Sequence, residues 1–284
     1  ADARCSRREQ RSVLLAPTVS SFLGPFLGSA VNLAIPLIGR EMGAPAVVLS
    51  WIVTGYLLTS AAFLLPFGRL GDLAGRTRVF VAGSLLQAAA SLGCAAAADV
   101  ATLIACRLLQ GVGGAMNFAT GFAIVVSSFP TRSRGRVLGV VTAAVYLGLS
   151  LGPVAGGLLT HYAGWRSIFA LNAAAGLAVA VVAAVGIRSQ WHAPAGERFD
   201  TVGAVLYTAS LAALLGGVST LGRHAWAPWA TWLGAAGLAL FVAVELRVAR
   251  PLLELRLFRS LVFAFSNVAA LVHYSATFAV TFLL

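Results

Sequence analysis

The sequence predicts an all-α, polytopic membrane protein, and three observations lead to that prediction. First, 59% of the 284 residues are apolar and only 10% are charged, which is far from the composition of a soluble domain. Second, the apolar residues fall into runs of about 20, the length at which an α-helix crosses a bilayer. Third, all 20 basic residues are arginine, and nearly all of them lie in short segments between those runs. A lipid bilayer is therefore the expected environment.

Nine membrane spans are predicted from these runs. They lie near 13–38, 46–67, 79–98, 100–126, 137–160, 167–187, 202–221, 229–246 and 260–284. The arginine-rich start resembles that of a signal peptide, but the apolar run after it is long and lacks a convincing cleavage site, so the first span is expected to remain as a helix. The predicted units are a tail at 1–12, a six-helix bundle at 13–187, a linker at 188–200, two spans within 201–247, a loop at 248–259 and one further span at 260–284.

The distribution of arginine predicts the orientation in the membrane. If the spans alternate, sixteen of the 20 arginines lie on the side of the N-terminus and one, Arg107, lies within a span. Only Arg40, Arg166 and Arg223 fall on the other side. Because cytoplasmic loops are enriched in arginine, the N-terminus is predicted to be cytoplasmic. Topology also accounts for the net charge of +11, so no nucleic-acid partner is predicted.

The segment between the second and third spans, Gly68–Arg78, combines glycines with charges. Its glycines are Gly68, Gly71 and Gly75, and its charged residues are Asp72, Arg69, Arg76 and Arg78. Glycine lets two helices approach closely and lets the backbone reverse without a Cβ clash. A single carboxylate among arginines can hold several cations at a moving interface. The alternative is a solvated loop whose arginines only set the topology.

This segment resembles the signature loop of the major facilitator superfamily, G-x-L-x-D-x-x-G-R-x-R, and it stands between the same two spans. The resemblance implies a six-helix transporter bundle that moves a small-molecule substrate by alternating access. It also implies a conformational latch at the cytoplasmic surface, made of Gly68, Gly71, Asp72, Gly75, Arg76 and Arg78.

Arg107 is the most informative single residue, because a charge within a membrane span is costly and usually faces protein or water. Helical spacing puts Gln110 and Gly114 on the same face. The alternative is an arginine that extends to the membrane surface. The pattern R-x-x-Q-G-x-G-G-A at Arg107–Ala115 resembles the superfamily's fourth-span motif, whose arginine is implicated in proton coupling. The resemblance therefore implies protons as the coupling ion.

Polar residues in the first two spans predict the rest of a central cavity. Ser29 and Asn32 share one face of the first span, where they either bond to a neighbouring helix or line a cavity. Tyr56 lies well inside the second span. We expect a cavity lined by spans 1, 2, 4 and 5, with Asn32, Tyr56, Arg107 and Gln110 as wall residues.

The fifth span carries Gly148, Gly152 and Gly156 at intervals of four, with Pro153 and Gly157 beside them. This spacing gives a helix face without side chains, which can pack on a partner from the other half of a transporter and rock against it. A general glycine packing face is the alternative. The stretch resembles the antiporter motif G-x-x-x-G-P-x-x-G-G, which in the superfamily marks exporters.

Two further stretches, 199–203 and 251–259, resemble the fourteen-span drug:proton antiporter branch, in which two extra helices join the halves. The chain thus resembles the first nine spans of such an exporter, which implies efflux of small lipophilic molecules across the cell membrane. One departure is that, aligned through Asn32 and Pro36, the acid of the family's first-span motif falls at Leu27. The alternatives are a truncated fragment that does not transport, and a carrier that is not coupled to protons through span 1.

No enzyme activity, cofactor or metal is predicted. The cysteines Cys5, Cys94 and Cys106 lack metal-ligand spacing, and no nucleophile stands beside a base. The glycines at 111–114 lie inside an apolar helix without a preceding strand, so they are not a phosphate loop. The role of His273 stays open between a buried, hydrogen-bonded histidine and a proton carrier.

Overall fold

The computed structural model describes residues 7–188, 199–248 and 251–283. Within these residues the chain forms nine α-helices, one short 3-10 helix and no strands. The helices are α1 (Arg7–Met42), α2 (Ala46–Ala74), α3 (Arg76–Ala96), α4 (Val100–Ser128), α5 (Thr131–Ala163), α6 (Arg166–Gly186), α7 (Thr201–Ser219), α8 (Ala227–Glu245) and α9 (Leu261–Leu283), with the 3-10 helix at Leu255–Arg259.

The all-α membrane fold predicted from composition is confirmed. Eight helices, α1 to α8, are long and apolar enough to cross a membrane. The ninth span, at α9, stays a prediction. Cys5 and parts of the predicted tail, linker and loop lie outside the described residues, and the predicted domain boundaries remain predictions.

Several helices extend beyond their apolar spans. The first predicted span, 13–38, lies inside the longer helix α1, because helical hydrogen bonding continues where the apolar run has ended. Helix α2 likewise continues to Ala74, so Gly68 and Gly71 belong to its last turns. The turn expected over 68–78 is confined to Gly75, which has a φ of 103° that favours glycine.

Helices α1 to α6 form one bundle. Helix α1 packs against α4, α5 and α6, while α4 also packs against α2 and α3, and α3 packs against α6. The largest buried cluster joins α1, α2, α4 and α6, and its bulky members are Leu27, Ile38, Ile52, Leu103, Trp165, Ile168 and Phe169. Many leucines and valines on the outer faces are exposed, as expected for helices that face lipid.

The remaining helices contact this bundle at α2 and at α5. Helices α7 and α8 form a hairpin, and α7 packs against α2, where the Thr208 hydroxyl donates a hydrogen bond to the Ala62 carbonyl at 3.1 Å. Helix α9 packs against the 3-10 helix. His273 on α9 reaches the bundle, where its Nε2 lies 2.6 Å from the Tyr146 hydroxyl of α5.

The glycine face of α5 packs on α1. An added Cβ at Gly148 would meet the Phe22 carbonyl oxygen, and one at Gly156 would lie 2.5 Å from the Ala30 Cβ. At Gly152 it would lie 2.7 Å from the Phe26 carbonyl oxygen. The expectation that this face packs on the other half of a transporter is therefore wrong, because the backbone of α1 already fills the groove.

The α1–α5 contact predicts that Gly152→Ala lowers stability. The methyl group would press on the backbone of α1, and overpacking of this kind costs about 1–3 kcal/mol. Gly157→Ala is the matched control, since an added Cβ there meets nothing within 4 Å and alanine favours helix. Thermal unfolding of the purified chain in detergent should show a lower Tm for Gly152→Ala alone. Equal Tm values for the two variants would contradict the packing described.

Candidate binding cavity and charged cluster

A cavity of about 500 Å³ opens between α1, α2, α4 and α5, with one residue contributed by α3. This volume suits a drug-sized organic molecule. The lining is largely apolar, with aromatic rings from Tyr56, Phe118 and Tyr146 and polar side chains from Asn32, Ser60, Gln87, Arg107 and Asn117.

Helix α1 leaves room for the cavity because its facing residues are small. Gly24, Gly28 and Ser29 line the cavity, and an added Cβ at Gly28 would meet nothing within 4 Å. The Ser29 hydroxyl donates to the carbonyl of Pro25, at 2.9 Å, within its own helix. Asn32 is exposed on the wall. The polar stripe of α1 therefore lines a cavity and does not bond to a neighbouring helix.

Arg107 is completely buried at the cavity wall, so the alternative of an arginine that extends to the membrane surface is wrong. Its Nε donates to the carbonyl of Ile52 at 2.7 Å, and its Nη1 donates to Gln110 Oε1 at 2.5 Å. Its Nη2 has no hydrogen-bond partner among the described residues. All the partners of this cation are neutral, so its charge is not compensated by an acid there.

Tyr56 covers the guanidinium of Arg107. The Arg107 Cζ lies 4.3 Å from the centroid of the Tyr56 ring, which is a cation–π geometry. The Tyr56 hydroxyl lies beside two glycines that line the cavity, and an added Cβ would come within 3.4 Å of it at Gly24 and within 3.1 Å at Gly114. Because Gly24 on α1 and Gly114 on α4 lack side chains, Tyr56 has space at the cavity wall.

A buried hydrogen-bond network continues from Arg107 through α4, α3 and α6. Gln110 Nε2 donates to the Ser91 hydroxyl at 2.6 Å, and Asn172 Nδ2 donates to the same oxygen at 2.8 Å. Ser91 in turn donates to the carbonyl of Gln87 at 2.6 Å. Gln110 therefore lies behind Arg107 and holds it, and it is not among the residues that line the cavity.

A second branch of the network returns to the cavity. Asn117 Nδ2 donates to Gln87 Oε1 at 2.8 Å, and the Ser84 hydroxyl donates to Asn117 Oδ1 at 3.0 Å. Sequence reasoning missed Gln87, Ser91 and Asn117 as site residues. The signal was present, because an amide in an apolar span is costly and Gln110 and Asn117 stand seven residues apart on one face of α4.

The cavity has an unbalanced charge. Among the described residues that line it, Arg107 is charged and none is acidic. Leu27, where the sequence alignment put the missing family acid, is fully buried in the core and does not face the cavity. The neighbouring residue Gly28 does face it. Helix α1 therefore has no carboxylate at position 27 or at position 28, the one that faces the cavity.

The charged cluster lies where α2 and α4 end and α3 begins. Both Nε and Nη2 of Arg76 lie 2.8 Å from Asp72 Oδ1. Arg76 Nη1 donates to the Ser127 hydroxyl of α4 at 2.5 Å. Gly71 lets α2 approach α4, since an added Cβ would lie 2.6 Å from Thr120 Cγ2. Arg78, in contrast, is exposed.

Gly68 also faces α4, with Ala119 Cβ 3.9 Å from an added Cβ. A second cavity, of about 800 Å³, adjoins this cluster and is lined by Arg69, Asp72, Arg76, Tyr207 and the segment Pro251–Glu254. The predicted latch residues are therefore brought together at one end of α2, apart from Arg78.

The opposite end of the bundle has its own charged contact. Trp165 Nε1 donates to Glu41 Oε2 at 2.6 Å, and the Arg166 guanidinium forms an ion pair with the same carboxylate. Arg166 Nη2 also donates to the Ala97 carbonyl at 3.1 Å. Helices α1, α3 and α6 are thus joined at one end while Arg76 joins α2 to α4 at the other.

Known proteins resemble this chain in sequence and fold. The sequence model of the Major Facilitator Superfamily matches residues 18–284. The probable actinorhodin transporter of Streptomyces coelicolor is 37% identical over 268 residues, which cover 90% of this chain and 46% of that protein. The multidrug resistance protein Stp of Mycobacterium tuberculosis is 33% identical over 262 residues, which cover 90% of this chain and 49% of that protein.

A solved structure supports the fold. It is that of a bacterial homologue of the human lysosomal transporter Spinster, in an inward-facing and occupied conformation, with a TM-score of 0.57 and 17% identity. The match covers 83% of this chain and 60% of that one. At this identity the likeness concerns the fold alone. The chain spans about half the length of the two relatives above.

The network predicts that Gln110→Leu destabilises the bundle. The change leaves Arg107 Nη1 buried without its acceptor and removes a donor to Ser91, and a loss of this kind costs about 2–3 kcal/mol. Asn32→Ala is the control, because Asn32 is an exposed wall residue of the same cavity. Thermal unfolding in detergent should show a lower Tm for Gln110→Leu only. An unchanged Tm would mean that the network does not hold Arg107.

Proposed function

Because the chain belongs to the Major Facilitator Superfamily, we propose that it exports small organic molecules, drugs or antibiotics among them, and that the cavity between α1, α2, α4 and α5 is part of the substrate site. The observation that carries the proposal is a largely apolar cavity of about 500 Å³ inside a bundle of membrane-spanning helices. The family consists of transporters, so the prediction that the chain is not an enzyme is confirmed.

The named relatives support the type of protein and the type of substrate. One is named as a probable actinorhodin transporter and another as a multidrug resistance protein. Each matches along most of this chain, and the family model, which matches residues 18–284, covers the residues of the cavity. We extend transport of such molecules to this chain on that ground, and we propose export because the α5 glycine motif resembles that of exporters.

We further propose that transport proceeds by alternating access and that Asp72 and Arg76 act as the cytoplasmic latch. Arg76 bonds at once to Asp72 at the end of α2 and to Ser127 on α4. A cation that holds two helix ends can release one of them at little cost when it is partly exposed to water. Gly68, Gly71 and Gly75 supply the close approach and the turn that put these groups together.

The proposed location is the cell membrane, with a cytoplasmic N-terminus. The support for this orientation is the arginine asymmetry, with sixteen arginines on the predicted inner side and three on the other. The latch and the second cavity would then lie at the cytoplasmic surface, where Arg69, Arg76 and the segment 251–254 meet.

Proton-driven antiport is the coupling that the family resemblance implies. A second candidate, export that is not driven by protons, is favoured by one observation. The described lining of the cavity holds no carboxyl group that could take up a proton. A protonophore distinguishes the two, because it abolishes proton-driven export and leaves the other intact.

We expect cells that express the complete reading frame containing these residues to accumulate less fluorescent dye than vector controls. The test uses two dyes, the cation ethidium and an anionic fluorescein derivative, each measured with and without a protonophore. Lower accumulation of either dye supports the proposed export. Loss of the effect with protonophore supports proton coupling, and persistence supports the second candidate. Equal accumulation of both dyes in expressing and control cells would contradict export.

We expect Asp72→Asn to reduce efflux severalfold without reducing the amount of protein in the membrane. The substitution removes the carboxylate that Arg76 holds at 2.8 Å and leaves the size of the side chain unchanged. Arg136→Gln is the control, because Arg136 is an exposed charge near the start of α5, at the same end of the bundle as Asp72. Initial efflux rates, normalised to membrane protein by immunoblot, provide the readout. Normal efflux by Asp72→Asn would rule out the latch.

A further inference from the structure

We infer that the cavity recognises organic anions: molecules with an aromatic or otherwise apolar body and one acidic group, such as a carboxylate, a sulfonate or a phenolate. The inference rests on the proposed function, because it names the class of substrate that the same cavity would take. It is carried by the uncompensated charge of Arg107 in an otherwise neutral wall.

The cavity wall carries a positive charge that no described acidic side chain balances. Arg107 is fully buried, and its partners are the Ile52 carbonyl, the Gln110 amide oxygen and the Tyr56 ring, all of which are neutral. No carboxylate lines the cavity within the described part of the chain. A buried cation without an opposite charge is unfavourable, and an anion brought into the cavity would offset that cost.

Arg107 also has hydrogen-bonding capacity that no described residue uses. Arg107 Nη2 is buried and bonds to no described residue, although a guanidinium carries five N–H donors and prefers carboxylate-like partners. No hydrogen bond of the Tyr56 hydroxyl to a described side chain or backbone group is found, and this hydroxyl stands beside Gly24 and Gly114 at the wall. The ring over the cation leaves its hydroxyl available to donate to an acidic group in the cavity.

The electric field of Arg107 extends beyond the groups that it contacts. In an apolar cavity the field of a buried cation is screened much less than in water, so it acts on a ligand that does not touch the guanidinium. Phe118, Tyr146, Leu57 and Leu149 supply apolar and aromatic surface around that field. A positive field within apolar walls favours an anion with a hydrophobic body and disfavours a lipophilic cation.

The experiment compares two ligands that share one aromatic body and differ in charge. Naphthalene-2-sulfonate and 2-naphthyltrimethylammonium are titrated into the purified 284-residue chain in neutral detergent, and Kd is measured by calorimetry. The sulfonate should bind at least about tenfold more tightly, because the same buried charge attracts one ligand and repels the other. Arg107→Gln should remove the difference.

A second variant tests the charge without altering Arg107. Gly28→Asp adds a carboxylate to the cavity wall at a position where the new Cβ meets nothing within 4 Å, so the side chain begins in open space. It should abolish or reverse the preference for the sulfonate. Gly28→Asn adds a side chain of the same size without the charge, and it should keep the preference whatever the change in absolute affinity. These two variants decide the matter even if Arg107→Gln does not fold.

Three results would overturn the inference. They are tighter or equal binding of the ammonium ligand, a preference for the sulfonate that survives both Arg107→Gln and Gly28→Asp, and the absence of binding by either ligand. The dye measurements separate this failure from a failure of the proposed function. Efflux of ethidium together with preference for the ammonium ligand would leave export intact and reject the anion selectivity alone.

Discussion

The burial of Arg107 is the constraint on which much of the bundle depends. A guanidinium inside a membrane helix needs partners from the protein. Here the Ile52 carbonyl of α2 and Gln110 of α4 accept from Nε and Nη1, and the ring of Tyr56 covers the cation, while Nη2 has no partner among the described residues. Gln110 is then held by Ser91 of α3, which also receives Asn172 of α6. One charge therefore fixes the relative positions of four helices, and it does so next to the cavity that we propose as the substrate site.

Close backbone contact is the second constraint. Lipid gives helices little reason to associate through apolar side chains, so packing depends on small residues that let backbones meet. Gly152 on α5 faces the backbone of α1, Gly113 on α4 faces that of α3, and Gly111 on α4 faces that of α2. Where glycines face open space instead, as Gly28 does, they leave volume for the cavity. Glycine thus allows close helix packing where a backbone lies opposite, and it leaves cavity volume where none does.

The sequence predicted the helical membrane fold because apolar length and arginine distribution are properties of each segment alone. It also identified Arg107, Gln110, Asn32 and Tyr56, since a polar residue in an apolar span is conspicuous without a structure. It could not say which partner each would meet, because that depends on helix rotation and pairing. For that reason the sequence predicts the wrong partner for the glycine face of α5, and the alignment points to Leu27 on α1 although the neighbouring residue that faces the cavity is Gly28.

The most direct test of the account measures the electrostatic potential of the cavity. A single cysteine at Gly28, in a chain whose Cys5, Cys94 and Cys106 are replaced by serine or alanine, is exposed to two methanethiosulfonates, one carrying a sulfonate and one carrying a trimethylammonium group. Modification rates are divided by those of a small free thiol. If the uncompensated charge of Arg107 dominates the cavity, the sulfonate reagent reacts faster after this correction, and Arg107→Gln removes its advantage. Equal corrected rates, or faster reaction of the cationic reagent, would contradict a positively charged cavity.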